Sequence, residues 1–239
     1  MRWDTLLVGS GSGGGERGMA LGWACPLTVA EYAAAGRSVA VPRPDCPSCA
    51  RPMTFEGSYP RWVRIFPTSW RIFVRRASCP GCGEGHALLP DFVALGRLDH
   101  VEVIGAGLVA GVAPSAAAGH LSPADGVPAS TRRSWRRSFA SRSAVLAAGF
   151  RALVVTYDGE LPRELDAPMG PPDLVAVVSL GAAWDAARRR CARAGKGIVA
   201  PWCFANLMCG NALLATRVDL RWELIGMGRA SRSRRAMPP

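Results

Sequence analysis

Four of the eight cysteines fall into two tight pairs, Cys46 and Cys49 in "CPSC" and Cys79 and Cys82 in "CPGC". Two C-x2-C pairs are the spacing of a tetrahedral thiolate site: each pair sits on a turn, so two sulfurs converge on one ion without strain. The ligand set read from this spacing is Cys46, Cys49, Cys79 and Cys82, and the expected cofactor is Zn2+. Four thiolates leave no open position for water, so such a site holds structure and does not catalyse. His86 follows Cys82 as C-x3-H and is expected beside the cluster or at the surface. Cys25, Cys191, Cys203 and Cys209 lack paired spacing and read as buried thiols.

The element that must carry these knuckles lies between them. The gap from Ala50 to Ser78 is 29 residues, long enough for a β-hairpin. In "RWVRIF" and "RIFVRR" the period of two separates Val63, Ile65, Ile72 and Val74 from a face of Trp62, Arg64, Phe66, Arg71, Phe73 and Arg75. With the aliphatic face inward, aromatic rings and guanidinium groups alternate on the outside, a composition suited to phosphate contact and base stacking. Arg64, Arg71 and Arg75 are therefore candidate nucleic-acid contacts.

A second basic cluster is "GVPASTRRSWRRSF", residues 126–139. It reads as the turn and second helix of a helix-turn-helix, with Gly126 in the turn and Ser130 as N-cap. Thr131, Trp135 and Phe139 form a buried stripe, and Arg132, Arg133, Arg136 and Arg137 cover the rest. A helix with one apolar stripe and an arginine face suits a major groove.

The chain of 239 residues carries a net charge of +11 and a pI near 10.1. Lys196 is its only lysine, so the excess is arginine, which prefers bidentate phosphate and guanine contacts. Duplex DNA is the partner this implies, with a transposase or integrase as a further candidate. No apolar run of membrane-spanning length and no signal peptide are evident, which places the chain in the cytoplasm, with the nucleoid. "VGSGSGG" contains G-x-G-x-x-G at Gly9, Gly11 and Gly14, but no βαβ unit surrounds it.

The organisation expected is α+β: a small β zinc ribbon, then a mostly α-helical helix-turn-helix region and C-terminal helices. Residues 1–24 read as a flexible leader and 25–45 as a short helix, capped by Thr28 and ended by Gly36, with an extended lead-in. Residues 46–90 are the ribbon and 91–150 the helix-turn-helix-like region, opening on a helix candidate at 91–112. Residues 151–173 read as a Pro-rich acidic linker, 174–226 as C-terminal helices and 227–239 as a basic disordered tail.

"VPRPDCPSC", "RIFVRRASCPGCGEGHALLP", "LDHVEVIGAGL" and "GVPASTRRSWRRSF" together resemble a family of uncharacterised actinobacterial proteins that join a zinc ribbon to a helix-turn-helix and are associated with transposons. Similar heads occur on insertion-sequence transposases. The resemblance spans roughly residues 25–150, and more loosely "PWCFANLMCGNALLA". It implies zinc on the four paired cysteines and DNA recognition by the helix from about 130 to 142. Family members tend to be apolar where this chain has Arg132 and Arg136, and Pro123 interrupts the first helix of the motif. Fewer than about 100 residues follow the motif, short for a nuclease fold with three metal-binding carboxylates. The expected function is therefore non-enzymatic DNA binding. The alternative is a zinc-ribbon adaptor that binds protein and touches nucleic acid only weakly.

Overall fold

Alternation of aliphatic and polar residues makes "TFEGSYPRWVRI" and "TSWRIFVRRAS" strands, and Phe66-Pro67 turns one into the other. In the computed structural model, which describes residues 19–112, 124–166 and 170–215, these are β2 (Thr54–Ile65) and β3 (Thr68–Ser78). They pair antiparallel with Trp62 opposite Arg71 and Val63 opposite Trp70. Val63, Ile72 and Val74 are buried while Trp62 stays half exposed at 53%, so the aliphatic face is the inner one. β4 (Gly85–Pro90) joins β3 antiparallel, with Arg75 opposite Leu88 and Ser78 opposite Gly85.

β1 (Met19–Trp23) completes the sheet by pairing parallel with β4, giving the order β1-β4-β3-β2. This corrects the flexible leader over 1–24: five of its residues are a strand whose Leu21 and Trp23 are buried. The partner strand lies more than 60 residues away, so no local pattern announces the pairing. The earlier part of the leader, including Gly9, Gly11 and Gly14, lies outside the described residues.

α1 (Val29–Ala35) forms where its caps predict. Thr28 accepts the Glu31 backbone N–H, and the Glu31 carboxylate accepts from the Thr28 backbone, a capping box. Gly36 ends it at φ 57°. β4 pairs with β3 only as far as Arg75, and beyond that point the Tyr32 hydroxyl donates to the Phe73 carbonyl.

α2 (Val101–Val112) starts ten residues later than the helix predicted over 91–112. Residues 91–100 instead make turns that bridge to β2: Arg64 N–H donates to Leu98 O, and His100 N–H to Arg64 O. The apolar residues Val101, Ile104 and Leu108 are buried as the helical spacing requires. α3 (Ala129–Ala140) begins one residue before the predicted cap, with Pro128 at the cap position. Of the first helix of the predicted motif, residues 115–125, those up to Pro123 lie outside the described residues, and Ala124 and Asp125 lie in a turn.

α4 (Ser143–Asp158) follows α3 at a bend of 64°. It runs into the expected 151–173 linker because Leu153 and Val154 are buried side chains, which a solvated linker would not have. The single turn α5 (Arg163–Asp166) then leads to α6 (Pro172–Arg193), which packs along α4. The linker acid Asp158 is paired with Arg189 of α6. α7 (Pro201–Met208) is the last described helix. The architecture is α+β, and the inner face of the sheet and the helices share one apolar core. No single described helix is long and apolar enough to cross a membrane. The 227–239 tail and residues 216–226 of the C-terminal region lie outside the described residues.

Candidate metal centre and basic surfaces

The two cysteine pairs sit on turns of the same construction. Cys46 N–H donates to Arg51 O at 2.8 Å and Cys79 N–H to Glu84 O at 2.8 Å. Ala50 N–H donates back to Cys46 O at 2.8 Å, and Gly83 N–H to Cys79 O at 2.9 Å. Each turn places the residue after its second cysteine at positive φ, 57° for Ala50 and 76° for Gly83. Glycine takes that conformation freely, whereas alanine pays for its Cβ. Ser48 Oγ donates to Glu84 Oε2 at 2.6 Å and ties one turn to the other.

The hairpin returns the chain so that the four sulfurs meet. Cys46 and Cys82 are 3.5 Å apart, Cys49 and Cys79 3.3 Å, and Cys49 and Cys82 4.0 Å. A tetrahedral ion with bonds of about 2.3 Å to sulfur needs sulfurs about 3.8 Å apart, so the donor set fits Zn2+. All four are free thiols. Burial works against ionisation of Cys79, but backbone N–H groups of Cys82 and Gly81 and the thiols of Cys49 and Cys82 bring it down to about 6. The Glu84 N–H acts the same way on Cys82, yet burial and the neighbouring sulfurs push that thiol up to about 12. Four thiolates at this spacing repel one another, and a bound cation is what would let them ionise together. His86 is buried, not superficial: its Nε2 is 3.7 Å from Glu84 Oε2, and the pair lies against Cys46.

The predicted basic residues divide into two kinds. Arg64 is spent inside the fold, its Nε donating to the buried Asp99 carboxylate at 2.6 Å. Its place on the hairpin's outer face makes it a clasp to the 98–100 segment, with the side chain still partly exposed. Arg136 is half-buried and donates to Gly107 O on α2 at 3.1 Å. That contact explains how an arginine stands beside the apolar stripe: its guanidinium satisfies a backbone carbonyl. Arg132 is half-buried, whereas Arg133 and Arg137 are exposed. Trp135 and Phe139 are fully buried, and Thr131 only partly. Arg71 is exposed and Arg75 half-buried on the hairpin, with Arg75 also donating to the Arg37 carbonyl at 3.0 Å. None of Arg71, Arg75, Arg132, Arg133, Arg136 and Arg137 is ion-paired among the described residues.

Several structural residues carry no local signal in the sequence. Glu102 accepts the Trp202 and Cys203 N–H groups at 2.9 and 3.0 Å and caps α7. Asn206 donates to Asp91 O and Val93 O, and Asn211 to Pro90 O and Val93 O, stitching the C-terminal turn under β4. Arg142, just past the basic cluster, donates to Ala212 O and Ala215 O. The four unpaired cysteines are all buried, as expected.

Residues 46–119 match a family described as a domain of unknown function (DUF6431). That segment opens on Cys46, the first cysteine of the candidate metal site, and takes in the hairpin, β4 and α2. No curated protein and no solved structure matches the chain.

Proposed function

We propose that this chain is a non-enzymatic DNA-binding protein in which Zn2+ closes a ribbon on Cys46, Cys49, Cys79 and Cys82, and α3 is presented to duplex DNA as the recognition helix of a helix-turn-helix. The observation that carries the reading is the division of α3: Trp135 and Phe139 anchor one side, while Arg133 and Arg137 stand exposed and free of acidic partners among the described residues. An anchored helix with uncompensated guanidinium groups is built for phosphates and base edges. The setting we propose is a mobile element, where the protein binds the element's ends or regulates it, with a transposase or integrase as partner. The family resemblance supports that setting.

Fluorescence anisotropy of the zinc-loaded protein on a duplex from the ends of its own genetic neighbourhood, against a scrambled duplex, tests the reading. Binding should weaken steeply with salt, as neutralised phosphates release counterions. Arg133→Ala with Arg137→Ala should flatten the salt slope by about 1 to 2 and reduce the preference for the native duplex. An unchanged slope removes α3 from the interface.

A further inference from the structure

The outer face of the hairpin is extended by two arginines from outside the cysteine module. Arg37 follows α1 and its guanidinium lies over the Phe73 ring, 4.9 Å from the centroid. Arg71 approaches the same ring at 5.4 Å. Arg75 lies 5.3 Å from the Phe55 centroid, and Arg43 reaches that ring at 6.0 Å. Two phenyl rings thus each hold two guanidinium groups, one from β3 and one from the segment after α1. Arg37, Arg43 and Arg71 are exposed and Arg75 is half-buried. None of the four is ion-paired among the described residues.

This arrangement changes what the face can do. A ring engaged by guanidinium groups is not a platform for a base, so Phe55 and Phe73 are cradles and not stacking surfaces. Each ring restricts the arginines over it; Arg75 spends one N–H on the Arg37 carbonyl, and the remaining N–H groups of the four forks are left to find acceptors elsewhere. Four like charges held together at one face favour a partner of repeating negative charge. We propose that Arg37, Arg43, Arg71 and Arg75 form a phosphate-backbone anchor that grips duplex DNA without reading its sequence, while α3 supplies the discrimination. This rests on the DNA-binding reading above and assigns Arg37 and Arg43 to the interface.

The test measures anisotropy against salt on the native and scrambled duplexes, for the zinc-loaded wild type, Arg37→Ala/Arg43→Ala and Arg37→Lys/Arg43→Lys. Zinc stoichiometry and circular dichroism verify that each variant is folded. The alanine pair should weaken binding to both duplexes equally and lower the salt slope by about 1 to 2. The lysine pair should keep most of the slope, since charge is retained. Wild-type slope and affinity in the alanine pair would overturn the anchor while leaving the function intact. Loss of the native-over-scrambled preference in that pair would overturn its sequence-neutral role. Failure of the wild type to bind either duplex would overturn both the anchor and the reading beneath it.

Discussion

Asp91 and His100 are neighbours of one loop whose proton equilibria move in opposite ways. Burial raises the Asp91 carboxyl from 3.8 to about 7, against the backbone N–H groups of Cys25 and Phe92 that hold its charged form. Burial lowers the His100 imidazole from 6.5 to about 4. His100 also stacks on Phe92 and accepts the Glu102 N–H at Nδ1, a bond that protonation would abolish. A raised acid binds its proton more tightly in the folded state, so its stabilisation is complete below about 4 and is lost as pH rises through 7. A depressed histidine does the reverse, and its contribution is lost as pH falls from 6.5 through 4. Asp91→Asn should therefore remove the loss on the alkaline side. Urea unfolding at pH 5 and pH 8 checks this: the variant's stability relative to wild type should rise by a few kcal/mol between the two, on the order set by linkage. An equal difference at both pH values would show that Asp91 does not titrate in this window.

Among the elements, α2 is where α3 and α7 meet, and its glycines show how closely. A Cβ at Gly105 would fall 2.2 Å from the Trp202 ring, and one at Gly107 would fall 3.2 Å from Trp135. α7 therefore packs against α2 at a distance that only a missing side chain permits, and α3 packs at one where a Cβ would require Trp135 to give by a few tenths of an ångström. Trp202 in turn meets the Phe139 ring edge-on at a centroid distance of 6.1 Å, so the anchor of α3 reaches α7 as well. Gly105→Ala gains helix propensity but must displace an indole from the core. The net effect should be a loss of about 1 to 3 kcal/mol, read as a lower thermal midpoint with near-native zinc content. A midpoint at or above wild type would show that Trp202 has room to move. The hairpin is joined to this body at its tip: a Cβ on Gly126, in the turn before α3, would fall 1.9 Å from the Phe66 ring. Arg64 adds its ion pair to Asp99 nearby.

Across the whole molecule, the candidate metal site and the helical body are unequal in what holds them. The cysteine turns depend on backbone hydrogen bonds and four sulfurs, and Cys49 and Cys82 are exposed. α4 and α6 bury Leu146, Phe150, Leu153, Leu180 and Ala183 in the apolar core. Cys79→Ser should accordingly lose bound zinc and unfold the knuckles, because binding free energy at such a site is folding free energy. Hydrogen exchange followed by mass spectrometry should show faster exchange around residues 46–56 and 76–86, with α4 and α6 still protected. Full zinc occupancy in Cys79→Ser would refute the ligand set. Uniform loss of protection would show that the metal holds the entire body and not the module alone.

What the sequence determined by itself is what short spacing can encode. The knuckles of Cys46/Cys49 and Cys79/Cys82 are legible because a turn closes within four residues, and the α1 caps because a capping box spans four. The inner aliphatic face of the hairpin and the Trp135/Phe139 anchor follow from periods of two and four. Only the tertiary structure decided the fate of each arginine. Identical side chains became a clasp at Arg64, a carbonyl ligand at Arg136 and Arg142, and a cradled cation at Arg37 and Arg71. The same holds for β1, whose partner strand is remote, and for Glu102, which looks like a stray charge in an apolar helix until α7 arrives from 100 residues away. A guanidinium or carboxylate takes its role from the group that meets it. Where that group comes from a distant part of the chain, the fold chooses it and the local pattern does not.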